Sequence, residues 1–174
     1  TEKTYVTCLS LLLSRFMPSI LKFCSENDQL VSVHEKGQKF FFWLKKVSEI
    51  HTRVLLEMSE WAVEKDKEYV TSICELFMSS LSTFTSYEGL VTLHGEFMEW
   101  VSLLNSTNPK FSEVLKKCEA PSKDFVGWSG FQSLMITPIQ RLPRYVLLLQ
   151  ELNKHHHLPD DNQILKVTQK LEKL

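Results

Sequence analysis

Between Thr137 and Glu151 the chain places Thr137, Gln140, Arg141, Arg144, Leu148 and Glu151 at steps of three and four. On an α-helix such steps share one face. Ile139, Leu142, Leu149 and Leu152 fall around the other side and are the core candidates. A polar, basic stripe beside an apolar one suits recognition rather than bond-making. An ionised Glu only accepts hydrogen bonds, a Gln donates and accepts, and an Arg offers a rigid fork of donors. Pro138 and Pro143 interrupt the same stretch. Each removes a backbone hydrogen bond and crowds the preceding turn. The segment is nevertheless expected to be continuous helix, its freed carbonyls met by solvent or side chains.

No other constellation offers covalent chemistry. His155, His156 and His157 are adjacent, so they cannot all face one ion on a helix, and at a helix end His complements the dipole; no metal site is expected. Cys8, Cys24, Cys74 and Cys118 form no CxxC pair. Cys8, Cys74 and Cys118 lie in apolar helical stretches, where free Cys acts as a small hydrophobe, and a reducing, cytoplasmic setting is expected. No Ser–His–Asp or Cys–His set and no phosphate-cradling Gly loop is readable, and no cofactor is expected. The net charge of −1 gives no case for nucleic acid or an anionic membrane. Asn105-Ser106-Thr107 fits a glycosylation sequon without a secretory context. No signal peptide is readable, and no apolar run reads as long enough to span a membrane.

The elements that must position the stripe follow from periodicity. Tyr5, Val6, Leu9, Leu12, Leu13, Phe16, Ile20 and Phe23 predict a first helix over Thr4–Cys24, bent at Pro18. Ser25-Glu26-Asn27-Asp28 is a polar break, and Ser32-Val33-His34-Glu35 reads as a capping box. Phe40, Leu44, Val47, Val54, Met58 and Trp61 predict a second long helix, and the charged run Glu64 to Glu68 a turn or helix start. A third helix is expected over Tyr69–Phe84. A fourth carries Leu90, Leu93, Phe97, Val101 and Leu104. Asn108-Pro109 is a helix start for a short helix carrying Phe111, Val114, Leu115 and Cys118. Ala120–Gly130 is looser, the striped helix runs to about Lys154, His155–Asp161 breaks it, and a last helix begins at Gln163. With five glycines, no hairpin signal and short breaks between long helices, the fold class is all-α, an elongated bundle of about six main helices. The 174 residues are most simply one domain.

The run Phe131 to Leu152, with Pro138, Gln140-Arg141, Arg144-Tyr145 and Leu147-Leu148-Leu149, resembles the third conserved region of the Dbl homology (DH) domain, L-x-x-P-x-Q-R-x-x-R-Y-x-L-L-L-x-x-L. Thr1-Glu2-Lys3-Thr4-Tyr5-Val6 and Leu9 are similar to its first region, T-E-x-x-Y-V-x-x-L, and Arg15-Phe16-Met17-Pro18 to the stretch that bends its first helix. Ile50-His51 before Leu55, Asn108 to Phe111, and Asp160-Asp161 before Ile164-Leu165 echo further parts. Val146 stands where many members have Pro, and the middle helices match only in pattern. Against the family pattern the domain spans 1–174, short of its N-terminal edge and of the distal last helix, where the family usually has an Asn that contacts the GTPase.

The resemblance implies a guanine-nucleotide exchange factor for a Rho-family small GTPase, a non-covalent catalyst that prefers the nucleotide-free partner. It also implies a PH domain adjacent in the full-length protein. It assigns Glu2, expected exposed, to the partner's switch I, Gln140 and Arg144 to switch II, and an apolar contact to Ile136. Thr137, Arg141, Leu148 and Glu151 rank lower, Arg141 because it suits a pair partner within the domain. The residues alone leave other readings open. Glu2 suits a helix N-terminus, arginines are ordinary surface residues, and a helical scaffold without exchange activity would carry the same pattern.

Overall fold

The computed structural model describes residues 2–61, 69–119, 130–155 and 163–173, and among them no strand occurs. The helices are α1 (Glu2–Leu11), continued by a π-helical turn (Leu12–Phe16) into α2 (Met17–Ser25); α3 (Val31–Trp61), entered through a 3-10 turn (Asp28–Leu30); α4 (Tyr69–Phe84); α5 (Ser86–Thr107); α6 (Pro109–Glu119); α7 (Phe131–His155); and α8 (Gln163–Leu171). The expected all-α fold is observed. The 31-residue α3 is the long axis, roughly 46 Å at helical rise. It packs against α1, α2, α4 and α5, while α7 lies against α1, α5 and α8. The runs Glu64–Glu68 and Asp160-Asp161, most of Ala120–Gly130, and the histidines 156 and 157 lie outside the described residues.

Local sequence explains the breaks. Pro18 has no N–H to give, and the chain widens to a π turn just before it, where the Met17 N–H reaches the Leu12 carbonyl. The Ser19 hydroxyl donates to the Arg15 carbonyl at 2.8 Å. The expected bend is thus a π turn followed by Pro at the next helix start. Asn27 is extended (φ −130°, ψ 103°) and ends α2. Helical geometry resumes at Asp28, so Ser32 lies inside the helix and the expected capping box is not its start. Asn108 does act as a cap. Its N–H donates to Leu104 at the end of α5, and its Oδ1 accepts from Lys110 and Phe111 at the start of α6. The contact that seals the start of α7 is not legible in sequence. Glu119 Oε1 accepts the Phe131 N–H at 2.8 Å, next to Gly130 at φ +110°, so the end of α6 satisfies the open N-terminus of α7.

The core is aromatic. Phe40 stacks on Phe97 at 4.5 Å, Phe111 lies between Phe23 and Trp100, and Phe16 meets Phe131. All four cysteines are buried, and none forms a disulfide. The first helices correct the expectation that no apolar run has membrane-spanning length. The continuous helix Glu2–Ser25 is, by length and composition, apolar enough to cross a membrane, with a mean hydropathy of 1.4. Its Leu9, Leu12, Phe16, Met17 and Ile20 are fully buried in the bundle core, and a core helix passes that test as readily as a membrane span.

At Gly89 a Cβ would stand 2.3 Å from Trp43 Cε2, so α5 approaches α3 at this point only because the residue lacks a side chain. Gly89→Ala is expected to lower stability by about 1–3 kcal/mol through overpacking, despite the better helix propensity of Ala. A urea denaturation midpoint at or above that of the wild type would contradict this.

Candidate functional site

The helix α7 runs unbroken through both prolines. Pro138 leaves the Leu134 carbonyl without its helical donor, and the Thr137 hydroxyl fills that place at 2.8 Å. The stripe survives as a surface. Gln140, Arg144, Leu148 and Glu151 are exposed, with Ile136 at 38% and Leu147 at 65%. Thr137 is half-buried, and Leu149 is buried.

Arg141 is not on that surface. It is 4% exposed, and its guanidinium lies between the rings of Tyr5 and Tyr145, 4.9 and 4.6 Å from their centroids. Its Nη2 forms an ion pair with Glu2 Oε2. At about 100° per residue, Gln140 and Arg144 sit about 100° and 60° to one side of Arg141. On the same helical wheel Tyr145, Leu149 and Leu142 lie on its other side. Arg141 therefore marks the border between the buried and exposed faces of α7.

Glu2, expected exposed, is 6% exposed, and this is the main correction. Glu2 Oε2 accepts from the Tyr145 hydroxyl at 2.7 Å as well as from Arg141, and Oε1 lies 2.8 Å from His51 Nδ1. His51 is fully buried. Its Nε2 is 2.6 Å from the Tyr87 hydroxyl, which lies 2.9 Å from the Tyr5 hydroxyl. A carboxylate can only accept, so the protons order themselves: His51 Nδ1–H donates to Glu2, Tyr87 donates to Nε2, and Tyr5 donates to Tyr87. One chain of hydrogen bonds thus ties together α1, α3, α5 and α7.

Burial would raise the Glu2 carboxyl. Hydrogen bonds from His51 and Tyr145 and the Arg141 charge outweigh it and hold the group below its ordinary 4.5. Burial likewise lowers His51 from its ordinary 6.5, against the pull of Glu2 and with the help of Arg141, so the ring is neutral. Burial raises the hydroxyls of Tyr5, Tyr87 and Tyr145, which stay protonated.

Beside this chain a groove of about 210 Å³ opens between α1 and α7, lined by Thr4, Tyr5, Cys8, Thr137, Gln140, Arg141 and Arg144. Ile136 belongs instead to a neighbouring groove, with His94, Met98 and Leu103 of α5. Glu151 pairs with Lys154 at 2.9 Å. Sequence reading singled out Gln140 and Arg144 but missed the part played by His51, Tyr87 and Tyr145. The signal was present: His51 continues the buried steps Phe40, Leu44, Val47 and precedes Val54, a polar ring at a core position. Among the described residues no three metal-ligating side chains converge.

The RhoGEF domain model matches residues 1–174. The chain belongs to the RhoGEF domain family. Rho guanine nucleotide exchange factor 10 of Mus musculus is 28% identical over 162 residues, covering 89% of this chain and 11% of that protein. The breakpoint cluster region protein of Rattus norvegicus is 25% identical over 163 residues, covering 89% and 12%. The chain thus spans about a tenth of the length of these relatives. Among solved structures, autoinhibited Vav1 superposes with a TM-score of 0.80 at 18% identity, over 99% of this chain and 30% of that one. The DH/PH domain of human ARHGEF11, in a ternary complex with human RhoA and its inhibitor, gives 0.73 at 20%, over 99% and 48%. At these identities the two structures carry the fold, and the fold is the all-α one of the RhoGEF domain.

Two outcomes follow for stability. Glu2→Lys or Glu2→Ala leaves Arg141 buried and unpaired, and is expected to cost about 3–5 kcal/mol, whereas Arg144→Glu, on the surface, should stay within about 0.5 kcal/mol. Equal denaturation midpoints for the two classes would refute the buried pair. As for pH, the unfolded chain protonates His51 below about pH 6.5 and Glu2 below about 4.5, and the folded chain resists both. The unfolded state therefore binds more protons, and stability falls on acidification from pH 7 to 5, by at most about 1.4 kcal/mol per pH unit for each proton. A rising urea midpoint over that window would contradict the assignment.

Proposed function

We propose that this domain accelerates GDP release from a Rho-family small GTPase by stabilising its nucleotide-free state. The observation that carries the reading is the exposed Gln140–Arg144 stripe beside the α1–α7 groove, on a chain of the RhoGEF domain family. Such a surface makes and breaks no covalent bond. It catalyses by binding one conformation of the partner better than another. Gln140 and Arg144 supply donors for the partner's switch II, and Leu147, Leu148 and Ile136 supply apolar area around them. Glu2 contributes from inside the domain through Arg141, since its carboxylate is already engaged. The relatives' names, which include Rho guanine nucleotide exchange factors, support the same class of partner. A PH domain following in the longer protein and a cytoplasmic setting belong to the same proposal.

The test is a nucleotide-release assay against a panel of Rho-family GTPases. Wild type is expected to accelerate release, and Gln140→Ala with Arg144→Glu to abolish the acceleration while the circular dichroism and melting temperature are retained. Linkage requires that nucleotide weaken the domain's grip as much as the domain weakens the nucleotide's. A complex formed after chelator stripping should therefore dissociate on adding GDP and magnesium. Equal affinity for GTP-loaded and stripped partner would leave no population to shift and would make the chain a scaffold instead.

A further inference from the structure

His51 is fully buried and cannot touch a partner protein, yet it stands at the centre of the polar chain. Its Nδ1 faces Glu2 Oε1 at 2.8 Å and the Tyr145 hydroxyl at 2.9 Å, and its Nε2 faces the Tyr87 hydroxyl at 2.6 Å. The ring packs edge-on to Tyr5 and stacks on Phe84 and Tyr145. Its orientation and its tautomer are thus both fixed, the second by the Tyr87 proton at Nε2.

We propose that His51 is a positioning residue for nucleotide exchange: pinned by Tyr87, it holds Glu2 against Arg141 and so fixes the rotation of α7 that presents Gln140 and Arg144. The inference rests on the exchange-factor reading above. Arg141 lies at the border of the two faces of α7, so the direction in which it is pulled decides how far the exposed stripe turns toward the groove. Glu2 can pull Arg141 in one direction only while its other oxygen is held. Without the Nδ1–H, that oxygen is a buried acceptor lacking a donor, which costs about 1–3 kcal/mol and frees the carboxylate to turn. Were His51 merely core filling, an apolar residue of similar size would serve as well.

The experiment measures exchange kinetics for wild type, His51→Leu, His51→Asn, Arg144→Ala and the double variant His51→Leu/Arg144→Ala, at a temperature well below each melting transition. His51→Leu is expected to lower kcat/KM on the order of tenfold to a hundredfold, the scale of a misplaced contact group. His51→Asn, whose amide N–H stands close to the place of Nδ1–H, is expected to recover most of it. The double variant should fall little below Arg144→Ala alone, because both changes act through one surface. Unchanged exchange by folded His51→Leu, no recovery by His51→Asn, or multiplying losses in the double variant would overturn the inference. If His51→Leu does not fold, Tyr87→Phe decides. It keeps the ring packing and loses the hydroxyl that donates to Nε2 and accepts from Tyr5, so a loss of roughly threefold to tenfold supports the inference and a wild-type rate overturns it. A wild type inactive on every GTPase would overturn the exchange reading and this inference together, whereas an active wild type with unaffected variants would overturn this inference alone.

Discussion

A carboxylate and a guanidinium taken out of water must meet each other and have their remaining hydrogen-bonding positions filled, or the fold loses several kcal/mol. Glu2 and Arg141 are such a pair, 4–6% exposed, filled on the carboxylate side and leaving only Arg141 Nε without a hydrogen-bond partner among the described residues. The donors Tyr145 and His51 complete the carboxylate, and the rings of Tyr5 and Tyr145 sandwich the guanidinium. A pair of this kind adds little net stability over a well-packed apolar one. Its effect is selective: arrangements of α1 and α7 that separate the charges are heavily penalised, while apolar side chains alone tolerate many rotations. The aromatic core holds the bundle together, and the buried pair sets the angle at which α7 faces solvent.

That angle connects the interior to the surface. Gln140 and Arg144 are close neighbours of Arg141 along the helix, so a side chain locked inward at 141 directs the other two outward and to one side. The prolines fit the same logic. Pro138 is buried, and the carbonyl it frees is capped by Thr137, so the helix continues toward Arg141. Along α1 and α2 the π turn before Pro18 plays a similar part, taking up the defect where the helix passes from the polar chain at Tyr5 to the apolar packing at Phe16 and Ile20. At Pro138 a neighbouring hydroxyl meets the backbone defect, and at Pro18 the widened turn takes it up.

Much of the bundle was legible from spacing. The third helix was placed at Tyr69–Phe84, as observed, and Asn108-Pro109 was read as the boundary it is. These depend on apolar period and on a cap whose partners lie two and three residues away. The capping box at Ser32 failed because helical geometry had already begun at Asp28, so its hydroxyl came too late in the helix to cap it. The seal between Glu119 and Phe131 was invisible because it spans twelve residues of sequence with no periodic signal.

The candidate site divides along the same line. Sequence alone determined that α7 carries a polar, basic face, that Gln140 and Arg144 share it, and that Leu149 lies on the other side, because a helix converts spacing into facing regardless of what surrounds it. It could not determine where Glu2 points. A charged residue near a chain start reads as exposed by every local rule, and its burial becomes tolerable only when His51, Arg141 and Tyr145, from 49 to 143 residues away, close around it. Which polar groups are inside is decided by which partners tertiary packing delivers, since in a low-dielectric interior an unpaired charge is untenable and a fully paired one is not.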